Sequence, residues 1–188
     1  MEGFDKNGRP QRVPGKVPTK EGELIMPTVL GATNWSPAAY SPRTGLFYVS
    51  AWENTGTIAV EGQFPRGAAV QGTGGTPMGQ ATLTPNLKKD EDGFGVVRAL
   101  DPKTLEKRWE FKMNDITWGG VLTTASDLVF SGGKEGYFFA LDARTGALLW
   151  KASLGGQINS GPMSYSVNGR QYVTVAAGNA LFSFALSQ

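Results

Sequence analysis

The 188-residue chain contains no cysteine and no histidine. Without cysteine there is no disulfide framework, thiol nucleophile or zinc knuckle. Without histidine the usual general bases, the Ser-His-Asp arrangement and the commonest metal ligand are all missing. Charge is sparse as well: 18% of residues are charged and the formal net charge is +2, with lysine and arginine scattered along the chain. Neither a nucleic-acid stripe nor a basic membrane-surface helix is present. No apolar run approaches the roughly 20 residues that a membrane span needs, and Met1 to Pro18 lacks the apolar centre of a secretory signal. What the chain has in quantity is glycine, 26 residues, with 11% aromatics. That balance suits many short strands joined by tight turns, an all-β composition.

The strongest positive signal is a repeat. Gly95 to Lys112 reads GVVRALDPKTLEKRWEFK, and Gly136 to Ser153 reads GYFFALDARTGALLWKAS, a period of 41 (136 − 95). The two copies share Gly95/Gly136, Ala99/Ala140, Leu100/Leu141, Asp101/Asp142, Thr104/Thr145 and Trp109/Trp150. A period near 40 that encodes two strands around one tight turn is the spacing of a β-propeller blade. The runs Val96 to Leu100 and Tyr137 to Leu141 are β-branched or aromatic and bounded by glycine and a turn, a strand signal. Asp101 and Asp142 open the turns, where a short carboxylate accepts backbone N–H groups two residues on. They are turn formers, since the same site recurs in each copy, and not a catalytic pair. Trp109 and Trp150 fall in the second strand, where an indole fills the gap between neighbouring sheets and its N–H finds a carbonyl.

A second register completes the blade. Trp35 and Trp118 are two periods apart (118 − 35 = 83), and Asn159 follows Trp118 by another 41. After each comes an apolar strand, a polar turn and a second apolar strand, which is a first hairpin. Each blade is thus expected to have four antiparallel strands. The expected fold is all-β, a partial β-propeller of just under three blades in a single domain. Residues 1–33 form an extended segment, 34–112 a blade with a long irregular insertion over 52–92, 118–153 a second blade and 159–186 an incomplete third. Fewer than three blades cannot close a ring that typically has four to eight. The chain is therefore expected to be the C-terminal part of a larger propeller, with upstream blades or a second chain as partner and a tendency to self-associate through open sheet edges.

Three shorter patterns carry bland readings. GTGGTPMG (Gly72 to Gly79) lacks the Lys-Ser/Thr ending of a phosphate loop. Asp90 and Asp92 beside Gly93 show only a fragment of a calcium loop and read as a solvated charge run. Asn34-Trp35-Ser36 is a formal glycosylation sequon followed by Pro37, at a site expected to be buried.

Taken together, GATNW (Gly31 to Trp35), AYSPRTGLFYV (Ala39 to Val49), WGGVLTTASDLVFSGGKEGYFFALDARTGALLW (Trp118 to Trp150) and NGRQYVTVAAG (Asn168 to Gly178) resemble the C-terminal portion of pyrroloquinoline-quinone (PQQ) dependent alcohol dehydrogenases. The resemblance implies an eight-bladed propeller in the periplasm, with PQQ and a calcium or lanthanide ion on its axis, oxidising a small alcohol. It implies that Asn34 is the asparagine whose amide approaches the quinone carbonyls, stabilising charge that develops there. It further implies that Trp118 lines the cofactor chamber with apolar surface and one N–H donor. Gly119 and Gly120 are expected to let backbone come close to the cofactor. Trp109 and Trp150 match structural tryptophans of the family.

The family's metal ligands, catalytic aspartate, cofactor-contacting basic residue and vicinal cysteine pair have no counterpart in this sequence. No catalytic or metal-binding residue is therefore expected in this chain, and the isolated chain is expected to be inactive. The family's tryptophan-bearing C-terminal loop is missing too, because Val175 to Gly178 runs directly into NALFSFAL. The alternative expectation is a non-catalytic propeller scaffold that binds protein, as related repeat propellers of bacterial outer-membrane assembly do.

Overall fold

The computed structural model describes residues 3–28, 30–59, 81–85 and 93–186. Sixteen strands follow in chain order: β1 Gly3–Phe4, β2 Pro10–Gln11, β3 Glu23–Ile25, β4 Ala39–Ser41, β5 Leu46–Glu53, β6 Thr55–Ala59, β7 Ala81–Pro85, β8 Phe94–Leu100, β9 Lys107–Lys112, β10 Leu122–Thr123, β11 Leu128–Gly132, β12 Tyr137–Asp142, β13 Leu148–Ser153, β14 Met163–Val167, β15 Arg170–Ala177 and β16 Ala180–Phe184. No helix occurs among the described residues. The chain divides into two compact units, Met1–Gly31 with Asn54–Asp92, and Ala32–Glu53 with Gly93–Gln188.

The first unit holds more pairing than its glycine and proline content suggested. Strands β1 and β2 form a small antiparallel ribbon. Its turn is set by Asp5, whose Oδ1 accepts the N–H groups of Asn7 (2.8 Å) and Arg9 (2.9 Å). A three-stranded sheet runs β3-β6-β7, with Leu24 opposite Ile58 and Ile58 opposite Thr82. The stretches expected as an extended segment and an irregular insertion thus supply paired strands. GTGGTPMG and the Lys88 to Asp92 run lie outside the described residues.

The second unit contains the propeller sector: sheets β4-β5-β8-β9, β10-β11-β12-β13 and β14-β15-β16, all antiparallel and ordered as in the chain. The turns follow from local chemistry. Asp101 Oδ1 accepts the N–H groups of Lys103 (2.9 Å) and Thr104 (3.3 Å). Asp142 Oδ1 accepts those of Arg144 (2.9 Å) and Thr145 (2.8 Å) and the Thr145 hydroxyl (2.9 Å). These bonds favour the ionised form, so both carboxyls sit below the usual carboxylate range, led by the Lys103 N–H at Asp101 and the Thr145 hydroxyl at Asp142. Even the β-bulges repeat, at Ala99/Leu100 and at Ala140/Leu141.

Strand β12 of the middle sheet is buried on both faces, which explains why it reads as a continuous apolar run. Phe139 and Leu141 join Tyr48, Val97, Ala99 and Trp109 in one core, while Phe138 joins Ile158, Val173, Val175 and Ala177 in another. Alternate side chains of one strand therefore hold its sheet to both neighbours, each large one contributing about 1.5–3 kcal/mol. Trp109 is 8% exposed and its indole N–H donates to the Ala143 carbonyl at 3.0 Å. The Tyr48 hydroxyl donates to the same oxygen at 2.9 Å. Trp150 differs: it is 39% exposed and meets Phe138 and Phe184 edge-on at 6.1 and 5.0 Å. One period beyond Ala143 the sequence has Phe184, where the Asp/Thr/Trp unit is not repeated.

A rim clamp reinforces the first core. Asp127 accepts from Arg43 Nε (2.8 Å) of one sheet's turn and from Arg144 Nη2 (3.0 Å) of the next. Arg43 foremost, then Arg144, hold its carboxyl below the usual range. A carboxylate whose pKa is lowered by folding stabilises above its unfolded value near 4 and loses that contribution as pH falls through the lower folded value. Thermal unfolding is therefore expected at a constant midpoint from neutral pH down to about 5, falling below about 4 as Asp101, Asp127 and Asp142 protonate. Asp127→Asn should lower the midpoint modestly at pH 7, and the two curves should converge in acid. A pH series of melting curves for both proteins checks this.

Candidate functional site

The first strands of the three sheets converge. Pro37, Gly120 and Gly161 occupy the same register position, 83 and 41 residues apart, and they touch. A Cβ on Gly120 would lie 2.4 Å from Pro37 Cγ and 2.9 Å from Gly161 Cα. The backbones are tied there as well, with Val121 N–H donating to Pro37 O (2.8 Å) and Gly120 N–H to Ser160 O (3.3 Å). Side chains at the preceding positions, Trp35, Trp118 and Asn159, therefore stand at equivalent places on three adjacent sheets.

Two of the predicted site residues meet here through Trp35. Trp35 and Trp118 stack with centroids 6.2 Å apart and planes 22° from parallel. Asn34 is exposed beside them, and its Oδ1 accepts the Trp35 N–H at 2.8 Å. Trp35 itself is 60% exposed. Trp118 is half-buried, and the edge of a third indole, Trp52, packs against it at 4.6 Å and 73°. The result is an aromatic shelf with an amide at its margin.

The backbone under Trp118 is held from both sides. Before it, the Thr117 hydroxyl donates to Gly132 O (2.6 Å) and accepts the Gly119 N–H (2.9 Å), while the Thr117 carbonyl accepts the Trp52 indole N–H. At Trp118 itself, the carbonyl accepts the Ser36 hydroxyl at 2.9 Å. Further upstream, Glu135 accepts the N–H groups of Asn114 and Asp115 and so caps the approach loop.

For Gly119 and Gly120 the structure supplies a different physical reason from the expected one. A Cβ on Gly119 would lie 2.3 Å from the Gly132 oxygen. Its N–H is engaged by Thr117. Neighbouring backbone and Pro37 leave no room for a Cβ at either position. Thr117, Trp35 and Trp52 were not singled out from sequence as site residues. Trp35 had served only to set the register, although its pairing with Trp118 at two periods was the signal that could have found it.

Residues 91–173 match the family described as Glucose/ethanol/alcohol dehydrogenase, beta-propeller domain. The chain is 38% identical over 184 residues to quinoprotein alcohol dehydrogenase PedH of Pseudomonas putida, an alignment that covers 94% of this chain and 29% of PedH. This chain belongs to the quinoprotein alcohol dehydrogenase family. Its fold agrees with solved members. The quinohemoprotein alcohol dehydrogenase of Comamonas testosteroni superimposes with a TM-score of 0.73 at 31% identity, over 94% of this chain and 27% of that one. A europium-containing methanol dehydrogenase superimposes with a TM-score of 0.70 at 32% identity, over 90% and 29% of the two chains. The chain thus spans less than a third of the length of these quinoprotein relatives.

Proposed function

We propose that this chain forms one wall of the PQQ chamber of a quinoprotein alcohol dehydrogenase, as the C-terminal blades of a propeller whose remaining blades carry the catalytic base and metal ligands. The observation that carries this reading is the pairing of the Asn34–Trp35 element with Trp118 across 83 residues, in a chain 38% identical to PedH. The donor set suits a planar, carbonyl-rich cofactor: a flat indole shelf for its ring system and an amide oriented by the Trp35 N–H. PQQ, with its calcium or lanthanide ion, supplies the two-electron oxidation of the alcohol when bound.

The chain's own residues bind and orient. The Asn34 amide would hold the quinone edge of the cofactor, where a hydrogen-bond donor would stabilise developing negative charge. Trp118 shields that flank from water and offers its indole N–H. Gly119 acts behind them, allowing the Trp118 segment to lie flat on β11. Among the described residues β16 pairs with β15 alone, whereas the corresponding β12 pairs with two strands, so β16 offers an edge to which a strand from another blade could add. The periplasm is the compartment that fits this family's chemistry.

A chimaera tests the reading. PedH in which the homologous segment is replaced by this chain is expected to oxidise alcohols with a dye acceptor in a PQQ-dependent manner, and the isolated chain to show no turnover. Asn34→Ala in the chimaera should lower kcat/KM by about 100- to 1,000-fold, the cost of one electrostatic donor. A folded chimaera that neither binds PQQ nor turns over would contradict it.

A further inference from the structure

We propose that Thr117 is a positioning residue that fixes the plane of the Trp118 indole against the cofactor. The inference deepens the cofactor-wall reading and rests on it. Thr117 is 1% exposed, and both its hydroxyl and its carbonyl are committed. The hydroxyl bridges two sheet segments, donating to Gly132 O and accepting from Gly119 N–H, at 2.6 and 2.9 Å. The carbonyl receives the Trp52 indole N–H, and Trp52 then presents its edge to Trp118. One residue therefore controls the backbone on the far side of Trp118, through Gly119, and the ring that abuts its indole, through Trp52.

That control matters because Trp118 is only half-buried. A ring fully enclosed in a core is oriented by its own packing. A half-buried ring takes its plane from the backbone that carries it and from the few groups it touches. A ligand that stacks on such a ring gains affinity when the plane is set before binding, since less freedom is lost on association. Valine at 117 would keep the shape of threonine and remove both functions of the hydroxyl. It would leave the buried Gly132 carbonyl and Gly119 N–H without this partner. Serine would keep both bonds and lose only the methyl group, which lies beside Gly95.

Two readouts test this. On the chain itself, without cofactor, far-ultraviolet circular dichroism reads the exciton coupling of Trp118 with Trp52 at 4.6 Å and with Trp35 at 6.2 Å. Thr117→Ser should retain the parent's couplet and Thr117→Val should change it. In the PedH chimaera, PQQ titration should show Thr117→Val binding about tenfold more weakly, with Thr117→Ser within about twofold of the parent. Leu141→Val, a core change remote from Trp118, should leave PQQ affinity unchanged while lowering the melting temperature. A Thr117→Val protein with the parent's couplet and affinity overturns the proposal, as does a Thr117→Ser protein no better than Thr117→Val. If Thr117→Val does not fold, Trp52→Phe, which removes the indole donor to the same carbonyl, is titrated with PQQ instead. A tenfold loss supports the proposal and parental affinity overturns it. A parent chimaera that does not bind PQQ sinks the cofactor-wall reading, whereas the dichroism on the free chain still decides the role of Thr117.

Discussion

Gly119→Ala is expected to destabilise the fold by about 3 kcal/mol or more, at or above the upper end of ordinary overpacking, because the clash is with backbone. The added Cβ would sit 2.3 Å from the Gly132 oxygen and 3.1 Å from its carbonyl carbon, and a strand in the middle of a sheet cannot step aside as a flexible side chain could. Relief requires the Trp118 segment to lift from β11. That movement breaks the Gly119 N–H bond to Thr117 and the Trp52 bond to the Thr117 carbonyl together. Denaturant unfolding of the variant should show a large fall in midpoint. Gly155→Ala makes a useful contrast: nothing lies within 4 Å of its Cβ position, and only its φ of +71° resists the change. Its cost should be about 1–2 kcal/mol, from backbone strain alone. Equal losses at the two sites would show that Gly119 is not wedged.

The second large effect separates two tryptophans that the repeat makes equivalent. Trp109→Ala should cost about 3–5 kcal/mol, since it empties a buried ring site and removes the donor to Ala143 O. Trp109 also lies directly over Gly146, where a Cβ would come within 2.6 Å of the ring, so that side of the cavity is formed by backbone with little freedom to collapse. Trp150→Ala should cost less, about 1–2 kcal/mol, because the ring is already 39% exposed and contacts Phe138 and Phe184 by edges. Paired melts of the two variants check the order. In the PedH chimaera the gap should narrow if added propeller structure covers Trp150.

How much of this could be read from the residues depends on the range over which each feature is determined. The Asp101 and Asp142 turns were legible because one carboxylate and the two N–H groups that follow it define them within four residues. The same holds for the sheet boundaries of the second unit, where strand, turn and strand recur with the 41-residue period. Pairing between β3 and β6 was not legible. Glu23–Ile25 and Thr55–Ala59 are short, lie more than 30 positions apart and are flanked by glycine and proline, so composition favoured irregular structure. The motifs marked Asn34 and Trp118 as candidates, and the structure brings them together through Trp35. The Thr117 bridge was not legible, because a hydroxyl between Gly132 O and Gly119 N–H depends on where one sheet strand passes another. Gly119 shows the same limit from the other side: a glycine's presence is visible in sequence, but the atom that forbids a Cβ is not.

The most direct test of the central claim is a crystal structure of the PedH chimaera carrying this chain, loaded with PQQ and its metal ion. The Asn34 amide is expected at about 3 Å from a quinone oxygen and the Trp118 ring at about 4 Å from the cofactor. PQQ bound in the same protein with Asn34 and Trp118 turned away to solvent would contradict that claim.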